Sequence, residues 1–312
     1  MKIGISLINR GVLATSQNLV RLTKLAEMRG FDSVTLSDHI VVPKAMPTNY
    51  PYHPKGEFAW QSARDYFEPL ATLMFLAGCT ERIRLGTSVL IITYRNPVTT
   101  AKMLATIDAL SGGRVFVGVG TGWWEDEYKA LGIGHHFADR GPRTDEYLRI
   151  FKTLWSQENP TFEGRFFSFS DLEFSPRPVQ PGGIPIWIGG HTGRALRRVV
   201  ELGDAWHPIG LRPPANLDPA ELAQHTERLH KLAEKAGRDP ATIQLCFRAP
   251  AMITDQESRP LIGSPAQVVD DMYAYQALGV DHLTLDFSGE NADQMADQID
   301  QFGQEILPQF GV

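Results

Sequence analysis

The feature that most constrains this chain is an alternation that runs from one end to the other. Short β-branched runs are followed by longer segments of helical spacing, the pattern of repeated βα units. Ile3–Leu7 predicts the first strand, and Ser16–Arg29 a helix whose Leu19, Leu22, Leu25 and Ala26 share one face before Gly30. Further strands are predicted at Val34–Leu36, Ile83–Ile91, Val115–Val119, Ile186–Ile188, Ala205–His207, Ile243–Phe247 and His282–Phe287. Between them the signals are helical: Glu68–Cys79, a segment opened by Asn96 and Pro97 and closed by Gly112, then Thr144–Trp155, Arg194–Leu202, Pro219–Ala236, a helix capped by Ser264, and a final helix.

Eight such units in 312 residues predict a (β/α)8 barrel. Closure removes exposed strand edges, and eight strands enclose an interior that side chains can fill. No composition shift marks a boundary, so residues 1–312 are expected to form one barrel domain. Two departures from the simple repeat stand out. The loop after strand two, Pro43 to Phe67, is long and rich in proline and aromatics, Trp60 among them, which suits a lid over the barrel mouth. Between strands four and five, Phe162 to Phe174 alternates like a hairpin.

Charge and composition exclude several classes. With a net charge of −6 and no Lys/Arg run, the chain lacks the basic surface that nucleic acid or anionic lipid would need. The first residues, MKIGISLINR, hold too short an apolar core for a secretory signal, and no segment is long and apolar enough for a membrane span. Two cysteines, Cys79 and Cys246, sit in apolar stretches and read as inert thiols, which suits a cytoplasmic protein. Strand one ends in Ile8-Asn9-Arg10, not in a metal-binding H-x-H, and His135-His136 are adjacent, so no metal site is expected. A serine hydrolase is unsupported because G-x-S-x-G is missing.

In a barrel, the reacting groups stand at the carboxyl ends of strands. Strand two ends in Ser37-Asp38-His39, where an imidazole can exchange protons near neutral pH or serve as a structural hydrogen-bonding group. Strand three carries Gly86 and Ser88 in LGTSVL, where a flat ring could approach the backbone. Strand four ends in GVGTGWW, Gly118 to Trp124. That motif is not a dinucleotide fingerprint, because Gly122 falls one position early and the motif does not open the first unit. Trp123 and Trp124 could stack on a substrate or pack beneath the loop after strand two. Strand five ends in Gly189-Gly190-His191-Thr192-Gly193 ahead of a helix, which suits either an anion site or a tight turn.

Taken together, Ser37-Asp38-His39, LGTSVL, RNPVTTAKMLATIDALSGGR, GVGTGWW and PIWIGGHTGRALRRVVELGDAWHP resemble the luciferase-like flavin monooxygenases, most closely the branch named for the deazaflavin coenzyme F420. The resemblance extends over nearly the whole chain. It implies a bulge in strand three with a non-prolyl cis peptide at Ser88-Val89 behind the central ring of the cofactor. It also implies that Gly120 borders the cofactor, that Asp38 and His39 lie beside the reactive face, and that Gly189, Gly190, His191 and Thr192 take the phosphate. One departure is informative. The superfamily's sugar-phosphate dehydrogenases place a proton-donating glutamate after the G-T-G of strand four, where this chain has Trp123.

The resemblance thus implies an oxidoreductase acting on a small-molecule substrate with coenzyme F420 or FMN, by direct hydride transfer with the first or oxygenation with the second. The alternative is a flavin-binding barrel without turnover. A homodimer is plausible by resemblance.

Overall fold

The structure, a computed structural model, describes residues 1–44, 50, 55, 65–256 and 260–311. Eight parallel strands close on themselves: β1 (Lys2–Ser6), β2 (Ser33–Leu36), β3 (Arg84–Ile91), β4 (Val115–Gly120), β5 (Ile186–Gly189), β6 (Ala205–His207), β7 (Gln244–Ile253) and β8 (His282–Phe287). Each pairs with its sequence neighbours, β6 joins β7 through Ala205 opposite Gln244, and β8 returns to β1 through His282 opposite Lys2. The predicted closed (β/α)8 barrel is therefore the fold.

Nine helices surround it among the described residues: α1 (Ser16–Met28), α2 (Pro69–Ala77), α3 (Pro97–Ser111), α4 (Glu125–Ala130), α5 (Arg140–Ser156), α6 (Gly193–Leu202), α7 (Pro219–Lys235), α8 (Pro265–Ala277) and α9 (Ala292–Glu305). Their starts follow from local chemistry. Asn96 accepts a hydrogen bond from the Thr99 amide ahead of Pro97, and Asp218 and Ser264 cap α7 and α8 in the same way. Helix α3 ends where Gly112 turns left-handed at φ 72°.

The interior is filled by unequal partners. Phe116 on β4 and Trp187 on β5 stack with centroids 4.0 Å apart inside the barrel. Gly86 on β3 makes room, since a Cβ there would lie 2.3 Å from the Phe116 ring. Large residues on two strands thus require a small one on a third.

The hairpin between strands four and five is present but short, pairing Phe162–Glu163 with Ser168–Phe169. Three features differ from the sequence expectation. Helix α4 follows the GVGTGWW turn, α5 begins four residues before Thr144, and β7 continues past Phe247 to Ile253. The last has a plain cause: Arg248 interrupts the apolar run, yet it is a strand residue whose charge is met inside the barrel mouth. Trp60 and most of the proline-rich loop after β2 lie outside the described residues. Among the described residues no helix is long and apolar enough to cross a membrane.

Candidate active site

A cavity of about 260 Å³ opens at the carboxyl ends of the strands. Its lining includes Asp38, His39, Ser88, Val89, Gly120, Trp123, Gly189 and Gly190, which the sequence singled out. It also includes Arg10, Tyr50, Tyr94, His207, Arg212 and Arg248, which it did not.

The floor is the bulge in β3. The peptide Ser88-Val89 is cis, as the resemblance implies, and the β3–β4 register shifts between Thr87 and Leu90. Its surroundings hold it closely. At Gly118 a Cβ would stand 2.1 Å from the Thr87 carbonyl, and at Gly120 one would stand 2.5 Å from Val89 Cγ2, so both positions need glycine for the bulge to settle against β4. From the other side come His207 and Arg248. His207 Nδ1 lies 2.6 Å from the Cys246 carbonyl, which can only accept, so this nitrogen carries the proton. Nε2 must then accept, and the Ser88 hydroxyl donates to it at 2.7 Å. Burial pushes the His207 pKa down to about 3, which keeps this ring neutral. Arg248 donates to the Ser88 carbonyl and hydroxyl oxygens, to Ser6 Oγ at 2.9 Å, and to Asp286 at 2.9 Å.

The wall beside the floor is a buried imidazole–carboxylate pair. His39 Nδ1 is 2.7 Å from Glu127 Oε2, and Glu127 is fully buried. Tyr94 donates its hydroxyl to the same oxygen at 2.9 Å, and the amides of Ile40 and Val41 donate to Oε1 at 2.8 and 3.4 Å. A carboxylate, which only accepts, satisfies all four. Burial and the adjacent Glu127 push the Tyr94 hydroxyl well above the ordinary tyrosine range, so it stays protonated and donates. Glu127 escaped the sequence reading because it sits in EDEYKA, a short acidic stretch with the look of a solvated surface. Its partner lies 88 residues away.

Asp38, expected with His39 beside the reactive face, lines the same cavity, but its carboxylate is turned to other partners. Both of its oxygens are engaged by Arg95, at 2.7 and 2.8 Å, and one also accepts from the Ile91 amide at 2.8 Å. Arg95 donates to Glu68 as well. Asp38 therefore braces the ends of β2 and β3, and the imidazole is oriented by Glu127.

The remaining candidates divide. Trp123 lines the cavity, 5.2 Å from Tyr50 between ring centroids, whereas Trp124 is buried behind it, stacked at 5.4 Å. Gly190, at φ 87°, and Gly189 reach the cavity. His191 and Thr192 do not line it. Thr192 is exposed and caps α6 by accepting from the Ala195 amide at 3.2 Å. A cation stands beside that helix start, because a Cβ at Gly193 would lie 2.7 Å from an Arg228 guanidinium nitrogen. Cys246 is buried and Cys79 partly so, both as free thiols. Among the described residues no group of three His, Cys, Asp or Glu side chains could hold a metal ion.

The class these features define is that of (β/α)8-barrel enzymes, whose reacting groups gather above the strand ends. Within it, this chain belongs to the luciferase-like monooxygenase family, a family of flavin- and F420-dependent oxidoreductases and monooxygenases, whose model matches residues 1–260. An uncharacterized protein of Mycobacterium tuberculosis is 35% identical over 220 residues, covering 70% of this chain and 72% of its own length. An F420-dependent glucose-6-phosphate dehydrogenase of Intrasporangium calvum is 26% identical, with 94% of each chain covered. Among solved structures, an F420-dependent secondary alcohol dehydrogenase in complex with an F420-acetone adduct has a TM-score of 0.79 at 18% identity, with 98% of each chain covered.

Proposed function

We propose that this chain is an F420-dependent oxidoreductase that exchanges a hydride with a small organic substrate, with His39 as the proton-handling residue. The observation that carries the reading is the pairing of a side-chain-poor floor, the Ser88-Val89 bulge, with a buried His39–Glu127 wall in one cavity.

The residues fit a flat ring with a phosphate. Gly120 and Gly189 both pack against Val89, at 2.5 and 3.1 Å from where a Cβ would stand, so the bulge can lie flush with the wall. The phosphate would meet the α6 N-terminus, where amide N–H groups lack helical partners, Arg228 adds positive charge, and the buried His191 Nδ1 atom meets no hydrogen-bond partner among the described residues. When bound, the deazaflavin supplies the two-electron chemistry. The chain's own residues do the rest. Glu127 fixes the His39 ring with its Nδ1 proton inward, which makes Nε2 the nitrogen that would give or take the substrate's proton. Arg95 and Asp38 hold the β2 and β3 ends at a fixed separation, and Trp123 narrows the mouth.

Two relatives favour F420, the dehydrogenase of Intrasporangium calvum by sequence and the alcohol dehydrogenase by fold. FMN shares the ring shape and the phosphate, so the deciding experiment is a fluorescence titration of the purified protein with F420 and FMN, each oxidised and reduced. F420 is expected to bind at micromolar concentration and more tightly than FMN. His39→Ala is expected to keep F420 affinity within about threefold and lose turnover, by about 100-fold or more if the proton transfer depends on it. Neither cofactor binding at millimolar concentration would overturn the proposal. A barrel that binds F420, with the H39A variant indistinguishable in every assay of F420 reduction, would be a carrier.

A further inference from the structure

One side of the cavity lies across from the proposed ring seat. The proposed ring seat belongs to β3, β4 and β5, whereas the opposite side is built by Arg10 after β1, Arg212 after β6 and Arg248 in β7. These arginines differ in how fully they are bonded. Arg248 is saturated: it binds Ser88, Ser6 and Asp286, and its side chain is 14% exposed. Its work is structural. Among the described residues Arg212 is held through one nitrogen, Nη2 to Asp286 at 2.7 Å, its buried Nε meets no partner there, and its side chain is 36% exposed. A guanidinium offers five donors, and one left unmet away from water is costly unless an acceptor arrives.

The charge around it has the same sense. Asp286 is one carboxylate shared between two guanidiniums, and Arg10 brings a third to the same cavity wall. Burial and the charge of Arg248 both push the Arg10 pKa down, as expected where cations are crowded together. Tyr50, also on this wall, is electrostatically coupled to Arg10, Arg212 and Arg248.

We infer that this wall binds the anionic group, carboxylate or phosphate, of the small-molecule substrate, with Arg212 as the direct contact and Arg10 as its neighbour. The substrate class is then an organic anion, where a purely apolar compound would leave the wall unmatched. A planar fork pairing with two anionic oxygens gives both affinity and orientation. Held there, the anion would present the rest of the molecule toward His39. The inference rests on the cofactor reading for which side of the cavity is vacated, but it is testable apart from it.

The test is a tryptophan-fluorescence titration of the protein, with and without F420, using benzoate, phenyl phosphate and benzyl alcohol as probes of similar size. One of the two anions is expected to bind at least about tenfold more tightly than the alcohol, as a charge-assisted hydrogen bond allows. Whichever anion binds better identifies the group. In Arg212→Gln that anion should weaken at least about tenfold, while Arg212→Lys should recover part of the loss and F420 affinity should stay within twofold. Benzyl alcohol binding as tightly as both anions would overturn the proposal, as would an R212Q variant that binds them unchanged. R212Q weakening F420 and not the anions would assign the wall to the cofactor and overturn it too. Anion binding that depends on Arg212 in a protein that binds no F420 would leave this inference standing and remove the cofactor reading.

Discussion

Glu127 offers the sharpest test of how the site is built. Replacing it with alanine removes the acceptor of four hydrogen bonds, from His39, Tyr94, Ile40 and Val41. Ile40 and Val41 are partly open to water, so their amides can recover a partner. His39 and Tyr94 are buried and cannot. Two stranded donors at about 1–3 kcal/mol each, less the desolvation no longer imposed by a buried carboxylate, give a net loss of about 2–4 kcal/mol. In a chain of this size that is roughly 3–6 °C in melting temperature. Glu127→Gln separates stability from chemistry. Its amide oxygen can keep the two backbone N–H groups, but its NH2 must then face His39 Nδ1, which forces the imidazole proton onto Nε2. E127Q should melt within about 3 °C of the wild type, bind F420 within about threefold, and lose turnover by about 100-fold or more. Circular dichroism melts and long-range nitrogen–proton NMR of His39 report the two effects separately. An E127A variant melting within about 1 °C of the wild type, or E127Q keeping the wild-type tautomer, would refute the pairing as described.

Three more outcomes can be expected from the same contacts. The unfolded chain protonates His207 below about 6.5 but the folded chain only below about 3, so its contribution to stability is complete above 6.5 and declines as pH falls toward 3; in urea titrations across that range His207→Gln should show a shallower pH slope, and an unchanged slope would remove His207 as its source. Arg95→Ala strands the buried Asp38 carboxylate and should cost about 3–5 kcal/mol by urea unfolding, with a loss under about 1 kcal/mol showing that the clamp is dispensable. Gly120→Ala places a Cβ against Val89 and should weaken F420 at least about tenfold in a fluorescence titration; unaltered binding would move the ring away from the bulge.

Much of the barrel could be read from the sequence because strand and helix periods differ and because Asn96-Pro97, Ser264-Pro265 and Gly112 punctuate them locally. The site was legible only in part. His39 announced itself as an ionisable group at a strand end, and Ser88-Val89 through a family pattern spread over many positions. Glu127 and Arg248 did not, for related reasons. Each breaks a local rule, an acidic residue buried in an acidic helix and a cation inside a strand, and each is stabilised by partners distant in sequence. Thr192 is legible in both senses: its hydroxyl caps α6 by accepting from the Ala195 amide, and the same hydroxyl keeps an O–H that could donate to a phosphate. Asp38 has the chemistry of a catalytic acid, but Arg95, unremarked in the sequence, claims both of its oxygens.

The tethering of the β3 bulge to Ser6, His207, Arg248 and Asp286 has a consequence for how such a chain can diversify. Those four residues belong to β1, β6, β7 and β8, so the geometry at position 88 is set by the staves of the barrel, and the connections above them take little part. Segments grafted onto the rim could therefore recognise new compounds while the reaction plane stays where it is. Exchanging the stretch after β6 that carries Arg212 would be the first place to redirect this chain toward uncharged compounds.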